Sequence, residues 1–355
     1  MLALALVLCF IVTMLITPLV KRFAIKIGAI DKPNHRKVHQ TVMARLGGLA
    51  IYIGFLIGLI ILQPESPFMI PVLIGGFIII VTGFLDDMME LSAKWKLLGQ
   101  VAAAAVVIYG GVQVEFINLP FDGQLQLGWF SIPLTLLWII GVTNAINLID
   151  GLDGLAAGVS SIVLITISSL AIIQGDVFVA ALGVILLGST LGFLVHNFNP
   201  AKIFMGDTGA LFLGYMISVI SLLGFKNVTM FSLLIPVIIL AIPISDTLFA
   251  IVRRLVHKQP LSAPDKSHLH HCLLRLGLSH KQTVLAIYAM TAFFGLAAVM
   301  LTMSTLWISM IILCVTIIAI QFIVERVGLV SSEYRPMIKF FRRITNSKRP
   351  LKYEK

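Results

Sequence analysis

This chain is short of charge. Only 12% of its 355 residues are Asp, Glu, Lys or Arg, about half the share of a soluble domain, which excludes both a water-soluble globule and a charge-rich disordered chain. Cysteine is scarcer still, since Cys9, Cys272 and Cys314 form no Cys-x-x-Cys pair. Neither a disulfide framework nor a thiolate zinc site is expected. GxxxxGK[ST], HExxH and GxSxG are also missing, which removes the P-loop, zincin and nucleophile-elbow classes. Ionisable residues deep inside apolar runs, the mark of proton and ion pathways, are nearly absent. Asp246 is such an acid, and an ion pair with Arg253 seven residues on is its expected role, outside catalysis.

What the chain has is apolar length. Hydrophobic residues make up 59% of it, mean hydropathy is +1.02, and a bilayer-crossing helix uses about 20 such residues. Runs at 1–20, 46–62, 68–85, 97–114, 130–146, 155–173, 177–195, 209–224, 231–252, 283–303 and 305–324 predict an all-α polytopic membrane protein of about eleven transmembrane helices. The first run has no basic flank before it and Lys21 and Arg22 after it, which reads as a retained anchor.

Basic residues prefer cytoplasmic loops. With the N-terminus extracytoplasmic and the C-terminus cytoplasmic, all 26 Lys and Arg except Lys226 fall on the inner side, as do all 8 His. Asp31, Asp86, Asp87, Glu90, Asp150, Asp153, Asp207 and Asp265 fall there too, so the ionisable chemistry faces the cytoplasm. The outer stretch from Glu115 to Trp129 alternates apolar and polar residues around Asp122 and Gly123, a hairpin signal without catalytic groups. Residues 1–325 form the expected membrane catalytic domain. Residues 326–355 form a basic tail, in which Met337, Phe341 and Ile344 oppose Arg335, Lys339 and Arg342 as in an interfacial amphipathic helix.

Four inner segments carry chemistry. Asp86 and Asp87 are adjacent at the end of an apolar run, with Lys96 ten residues beyond Asp86; paired carboxylates repel, so a cation or helix-end solvation is expected to stabilise them. Asn144, Asn147, Asp150 and Asp153 recur every third residue, which puts them within reach of one broad helical face, while Gly151 and Gly154 permit a bend or a close ligand. Their oxygens suit Mg²⁺ or a base and ribose. In the third segment, with His196, Asn197, Phe204 and Asp207, Gly206 and Gly209 bracket the acid where helix-end amides meet an anion, and Phe204 offers a ring face. His268, His270 and His271 form the fourth, whose spacing fits no standard zinc motif and suits phosphate contact better.

Together these segments resemble the polyprenyl-phosphate N-acetylhexosamine-1-phosphate transferases, a family that includes the phospho-N-acetylmuramoyl-pentapeptide transferase of peptidoglycan synthesis. The matching residues are the Asp86–Asp87 pair, NLIDGLDG from Asn147 to Gly154, FMGDTG from Phe204 to Gly209 and HLHH from His268 to His271, in order across roughly 31–282. HLHH within PDKSHLHH, and DKPNHRKVHQTVMARLGG earlier, look like the bacterial undecaprenyl-phosphate GlcNAc-1-phosphate branch, which begins teichoic acid linkage units or other surface glycans.

The resemblance implies transfer of GlcNAc-1-phosphate from UDP-GlcNAc to undecaprenyl phosphate, with release of UMP, at the cytoplasmic face of a bacterial plasma membrane. It implies Mg²⁺, with Mn²⁺ as the alternative, held by Asp207 and Asn147. Asp153 and Phe204 would meet uracil with Asn197 nearby, and Asp150 and His268 would join the substrate site. Lys96, His270 and His271 would meet phosphate or sugar oxygens, and Asp86 or Asp87 would act near the attacking lipid phosphate. Membrane lipids and a homodimer partner are further expected contacts, nucleic acid is not, and a lipid-linked sugar flippase is the competing class. Lys32, Arg36, Lys37 and Arg45 would steer the lipid phosphate.

Overall fold

A computed structural model describes residues 1–31, 42–119, 123–225, 234–256, 258–260, 267–328 and 336–337. The chain runs through α1 (Leu2–Ile27), the two-residue strands β1 (Ile30–Asp31) and β2 (Met43–Ala44), α2 (Gly47–Leu62), α3 (Met69–Met89) and α4 (Ala93–Tyr109). A hairpin of β3 (Phe116–Leu119) and β4 (Gly123–Gln126) follows, antiparallel with Phe116 opposite Gln126, as the alternation predicts. Then come α5 (Ser131–Leu148), α6 (Leu155–Gln174), α7 (Val177–Asn197), α8 (Gly206–Phe225), α9 (Leu234–Ile239), α10 (Ala241–Val256), α11 (Leu269–Arg275), α12 (His280–Met303) and α13 (Leu306–Val327).

Each expected apolar run coincides with helix over most of its described length, the fourth running past the end of α4 at Tyr109. Among the described residues, eight helices, α1, α3, α5, α6, α7, α8, α12 and α13, are long and apolar enough to cross a membrane, and the chain is a multi-pass membrane protein. The ninth run departs from expectation, because it divides at Leu240 into α9 and α10. Pro243 has no N–H to give the Ile239 carbonyl, which weakens the helix at that point. Phe341, Ile344 and most of the basic tail lie outside the described residues, as do Lys32, Arg36 and Lys37.

α8 forms the centre of the bundle, packed against α2, α3, α5 and α6. Its span is 89% buried, against 17% for α13 at the periphery, so α8 meets protein on nearly all sides while α13 presents its apolar face to lipid. Backbones come close where side chains are small: a Cβ on Gly48 would collide with Gly209, and one on Gly83 with Thr208. These contacts leave α8 no freedom to slide, and they fix the position of its first turn. Tyr109, Trp129 and Trp307 are exposed at helix ends, as residues of an interfacial aromatic belt are.

Candidate functional site

The site is built around the first turn of α8. Residues 204–205 pair with the chain entering α2: Phe204 N–H donates to the Ala44 carbonyl (2.9 Å), Gly47 N–H to Phe204 (3.0 Å) and Gly48 N–H to Met205 (2.8 Å). Gly206 then turns the chain into the helix at φ 72°. Only glycine fits there, since a Cβ would strike the Arg45 carbonyl and crowd Asp87.

The two adjacent acids have different surroundings. Asp87 caps α8, accepting from Asp207 N–H (2.9 Å) on Oδ1 and from Thr208 N–H (2.9 Å) and Thr208 Oγ1 (2.7 Å) on Oδ2. The Arg45 guanidinium lies 3.6 Å from Oδ1. The helix-end amides expected to meet an anion do so, and the anion is Asp87 itself. Asp86 instead meets Lys96 Nζ at 2.7 Å, and Lys96 also pairs with Asp207. The other Asp86 oxygen, Oδ1, is buried without a hydrogen-bond partner. Asp87 is thus stabilised by helix-end donors together with the Arg45 cation, and Asp86 by the Lys96 cation alone.

α5 supplies the facing wall. Asn147 Nδ2 donates to Asp207 Oδ1 (3.3 Å), and one turn earlier Asn144 Nδ2 donates to Gln100 Oε1 on α4 (2.6 Å). The helical face expected through Asp153 ends sooner, because α5 stops at Leu148 and Asp150 and Asp153 lie on the turn into α6. Gly154 closes this turn at φ 78°, its N–H donating to Asn197 Oδ1 (3.1 Å). Asn197 in turn donates to the Ile203 carbonyl (3.0 Å), so this buried amide ties the turn to the segment before α8. Asp153 Oδ2 accepts from Asn199 Nδ2 (2.9 Å) and Ala201 N–H (3.1 Å).

These elements enclose a cavity of about 550 Å³, within the range of small-molecule sites. Asn147, Asp150, Asp153, Asn197, Phe204, Asp207 and His271 all line it. Asp86 and Lys96 join it through Asp207, while Asp87, His268 and His270 sit behind its walls. Burial, followed by the negative charges of Asp207 and Asp87, pushes the Asp150 carboxyl up to about 7. Burial and the neighbouring His271 push His270 down to about 4, which keeps that ring neutral near pH 7.

Asn199 and His280 also line the cavity and were not singled out from the sequence. The Asn197-x-Asn199 spacing just before Pro200 was the available signal for the first. His280 had none beyond its place after Ser279, which caps α12. Asp246 is buried and pairs with His268 (3.0 Å) across from α10 to the start of α11. Among the described residues, no three or more His, Cys, Asp or Glu side chains form a preformed metal cluster.

Comparison with known proteins gives this geometry its context. A family model described as glycosyl transferase family 4 matches residues 69–225, which hold the acid pair, Lys96, the α5–α6 turn and Asp207. A Bacillus subtilis (strain 168) protein named "Probable undecaprenyl-phosphate N-acetylglucosaminyl 1-phosphate transferase" is 52% identical over 95% of this chain and 96% of its own. The chain belongs to glycosyl transferase family 4. Similarity within the family extends to a decaprenyl-phosphate N-acetylglucosaminephosphotransferase of Mycobacterium leprae, 38% identical over 78% of each chain. It also reaches a phospho-N-acetylmuramoyl-pentapeptide-transferase of Halalkalibacterium halodurans, 31% identical over 84% of this chain and 97% of that one. The family resemblance drawn from the four motifs is borne out.

Proposed function

We propose that this protein transfers GlcNAc-1-phosphate from UDP-GlcNAc to undecaprenyl phosphate, yielding undecaprenyl-diphospho-GlcNAc and UMP. The single observation that carries this reading is the convergence of Asp86, Lys96, Asn147 and Asp207, the last two lining a cavity of nucleotide size, in a chain whose relatives bear the names above. The distribution of Lys and Arg supports eleven spans, an extracytoplasmic N-terminus and a site on the cytoplasmic face of a bacterial plasma membrane. Product use in teichoic acid or another surface glycan belongs to the same reading. A flippase is disfavoured, since it needs no fixed carboxylate–lysine cluster.

The reaction brings two phosphate-bearing anions together, so positioning and charge neutralisation are its main demands. The second pKa of a phosphate monoester is about 6, which leaves the lipid phosphate mostly dianionic near neutral pH. Its oxygen attacks the β-phosphorus of UDP-GlcNAc directly: one P–O bond forms to the lipid phosphate, the bond to the UMP oxygen breaks, and UMP carries off the electron pair. Lys96 offsets the charge of the reacting phosphates, and Arg45, at the cavity wall, receives the anionic acceptor. Asp153, Phe204 and Asn197 shape the end of the cavity that takes the uracil. Asp87 acts by holding α8, and hence Asp207, in place.

The donor set fits a hard divalent cation. Asp207 and Asn147 both line the cavity and both carry hard oxygen donors, and the buried Oδ1 of Asp86 has no hydrogen-bond partner, as in a site that a cation completes. Mg²⁺ is bound by one or two carboxylates plus substrate phosphates rather than by an all-protein cage, so Asp207 and Asn147 would hold it, with Mn²⁺ as a substitute. When bound, it supplies Lewis-acid polarisation and charge neutralisation at the pyrophosphate.

Purified protein incubated with UDP-GlcNAc, undecaprenyl phosphate and Mg²⁺ is expected to form the diphospholipid and UMP in equal amounts. Absence of UMP with any UDP-N-acetylhexosamine rejects the proposal. Capture of a chemically competent phospho-aspartate rejects direct attack.

A further inference from the structure

The three histidines of HLHH are not equivalent. His268 and His270 are buried, and His271 lines the cavity. Asp246 on α10 accepts from His268 through Oδ2 (3.0 Å) and from Leu269 N–H through Oδ1 (2.8 Å). A carboxylate only accepts, so His268 Nδ1 carries the proton, and the same acid fixes where α11 begins. The His268 and His270 rings are parallel within 3° at 6.0 Å, and the His270 and His271 rings lie 4.2 Å apart.

The far side of His270 rests on the α5–α6 turn, where a Cβ on Gly151 would collide with its ring at Nε2 and Cε1. Gly151 is not in the left-handed region, so the ring, and not the backbone conformation, demands glycine there. The same turn carries Asp150 and Asp153 into the cavity. An unbroken series of contacts therefore runs from Asp246 through His268 and His270 to Gly151.

We infer that Asp246 is a positioning residue for the transfer reaction: through His268 and His270 it sets the α5–α6 turn against the nucleotide, and within HLHH His271 is the histidine that meets substrate. Asp246 touches no reactant in this arrangement. It acts by fixing the orientation of the His268 ring, as a carboxylate behind an imidazole does. The inference rests on the transferase reading above.

The test is steady-state kinetics on detergent-purified, monodisperse protein. A loss of folded enzyme lowers kcat and leaves KM alone, whereas a displaced cavity wall raises KM. Asp246→Asn, which leaves one acceptor oxygen for the two donors His268 and Leu269 N–H and puts an NH2 against the other, is expected to raise the KM for UDP-GlcNAc about tenfold while the KM for undecaprenyl phosphate holds. His268→Asn should do the same, and the double variant should be no worse than either single, because both break one series of contacts. Gly151→Ala pushes on His270 from the opposite end and should reproduce the effect; it decides the matter if Asp246→Asn does not elute as folded protein. Unchanged KM for UDP-GlcNAc in the folded variants, or multiplicative losses in the double variant, overturns the inference while wild-type turnover leaves the transferase reading standing. Absence of wild-type UMP release overturns both.

Discussion

Two polar clusters flank the cavity, and they are built on opposite plans. Around Asp246, both carboxylate oxygens have protein partners, the acid and His268 are buried, and the contacts pass side chain to side chain toward Gly151. Around Asp207, Lys96 is shared between two carboxylates and one oxygen of Asp86 has no partner. The first cluster is satisfied without a ligand and acts as a strut. The second is incomplete by itself, so exchanging partners with a cation and phosphates costs it less than the strut would lose. A buried charge left unpaired is costly, and the open cluster limits that cost by sharing its lysine.

Substitutions can break this contrast in order of severity. Asp207→Asn removes a charge from the open cluster at the cavity, and turnover should fall by about 10³-fold, the scale of losing a major electrostatic contact to the reacting group; UMP release measures it, with little change in melting temperature. Asp87→Asn should cost both activity and stability. Its carboxylate caps α8 through three donors, and loss of a cap is worth about 1–2 kcal/mol, visible as a lower melting temperature alongside reduced turnover.

The contrast also has a pH signature. The folded protein raises the Asp150 carboxyl from 3.8 to about 7, so it binds that proton more tightly than the unfolded chain. The resulting contribution to stability is present at low pH and is lost as pH rises toward 7. His270 is lowered from 6.5 to about 4, so its contribution is present above 6.5 and is lost as pH falls toward 4. The two slopes oppose each other between about 4 and 6.5. Thermal melts of Asp150→Asn without divalent cations should therefore show stability rising with pH across that window more steeply than in wild type; an unaltered slope contradicts the assignment. The smallest effect is expected at Gln100→Leu, which breaks the amide pair with Asn144 between α4 and α5. Interhelical polar pairs in membranes average about 0.6 kcal/mol, a shift of a degree or two in the same assay.

Much of this was legible in the sequence because a bilayer imposes a simple code. Apolar length located the helices, and the alternation around Gly123 located the hairpin of β3 and β4. The residues of the cavity were visible as polar groups placed at span ends, where they cost stability without a purpose. What could not be read was partnership. Nothing in a string of residues says that Asp87 turns to α8 while Asp86 turns to α4, since neighbours on a helix point about 100° apart; Lys96 is only ten residues from Asp86, whereas the α8 donors to Asp87 are over a hundred residues away. The break between α9 and α10 is a matter of one proline, Pro243, inside a long apolar run. Asp246 was placed with Arg253 by nearness along the helix, whereas the fold takes its carboxylate to His268 on α11.

The measurement closest to the central claim is UMP release by wild type and Asp207→Ala protein, each given UDP-GlcNAc, undecaprenyl phosphate and Mg²⁺. The account predicts one UMP per diphospholipid formed by the wild type and none from a variant that still elutes as folded protein. Full turnover in Asp207→Ala, or no UMP from the wild type, would contradict it.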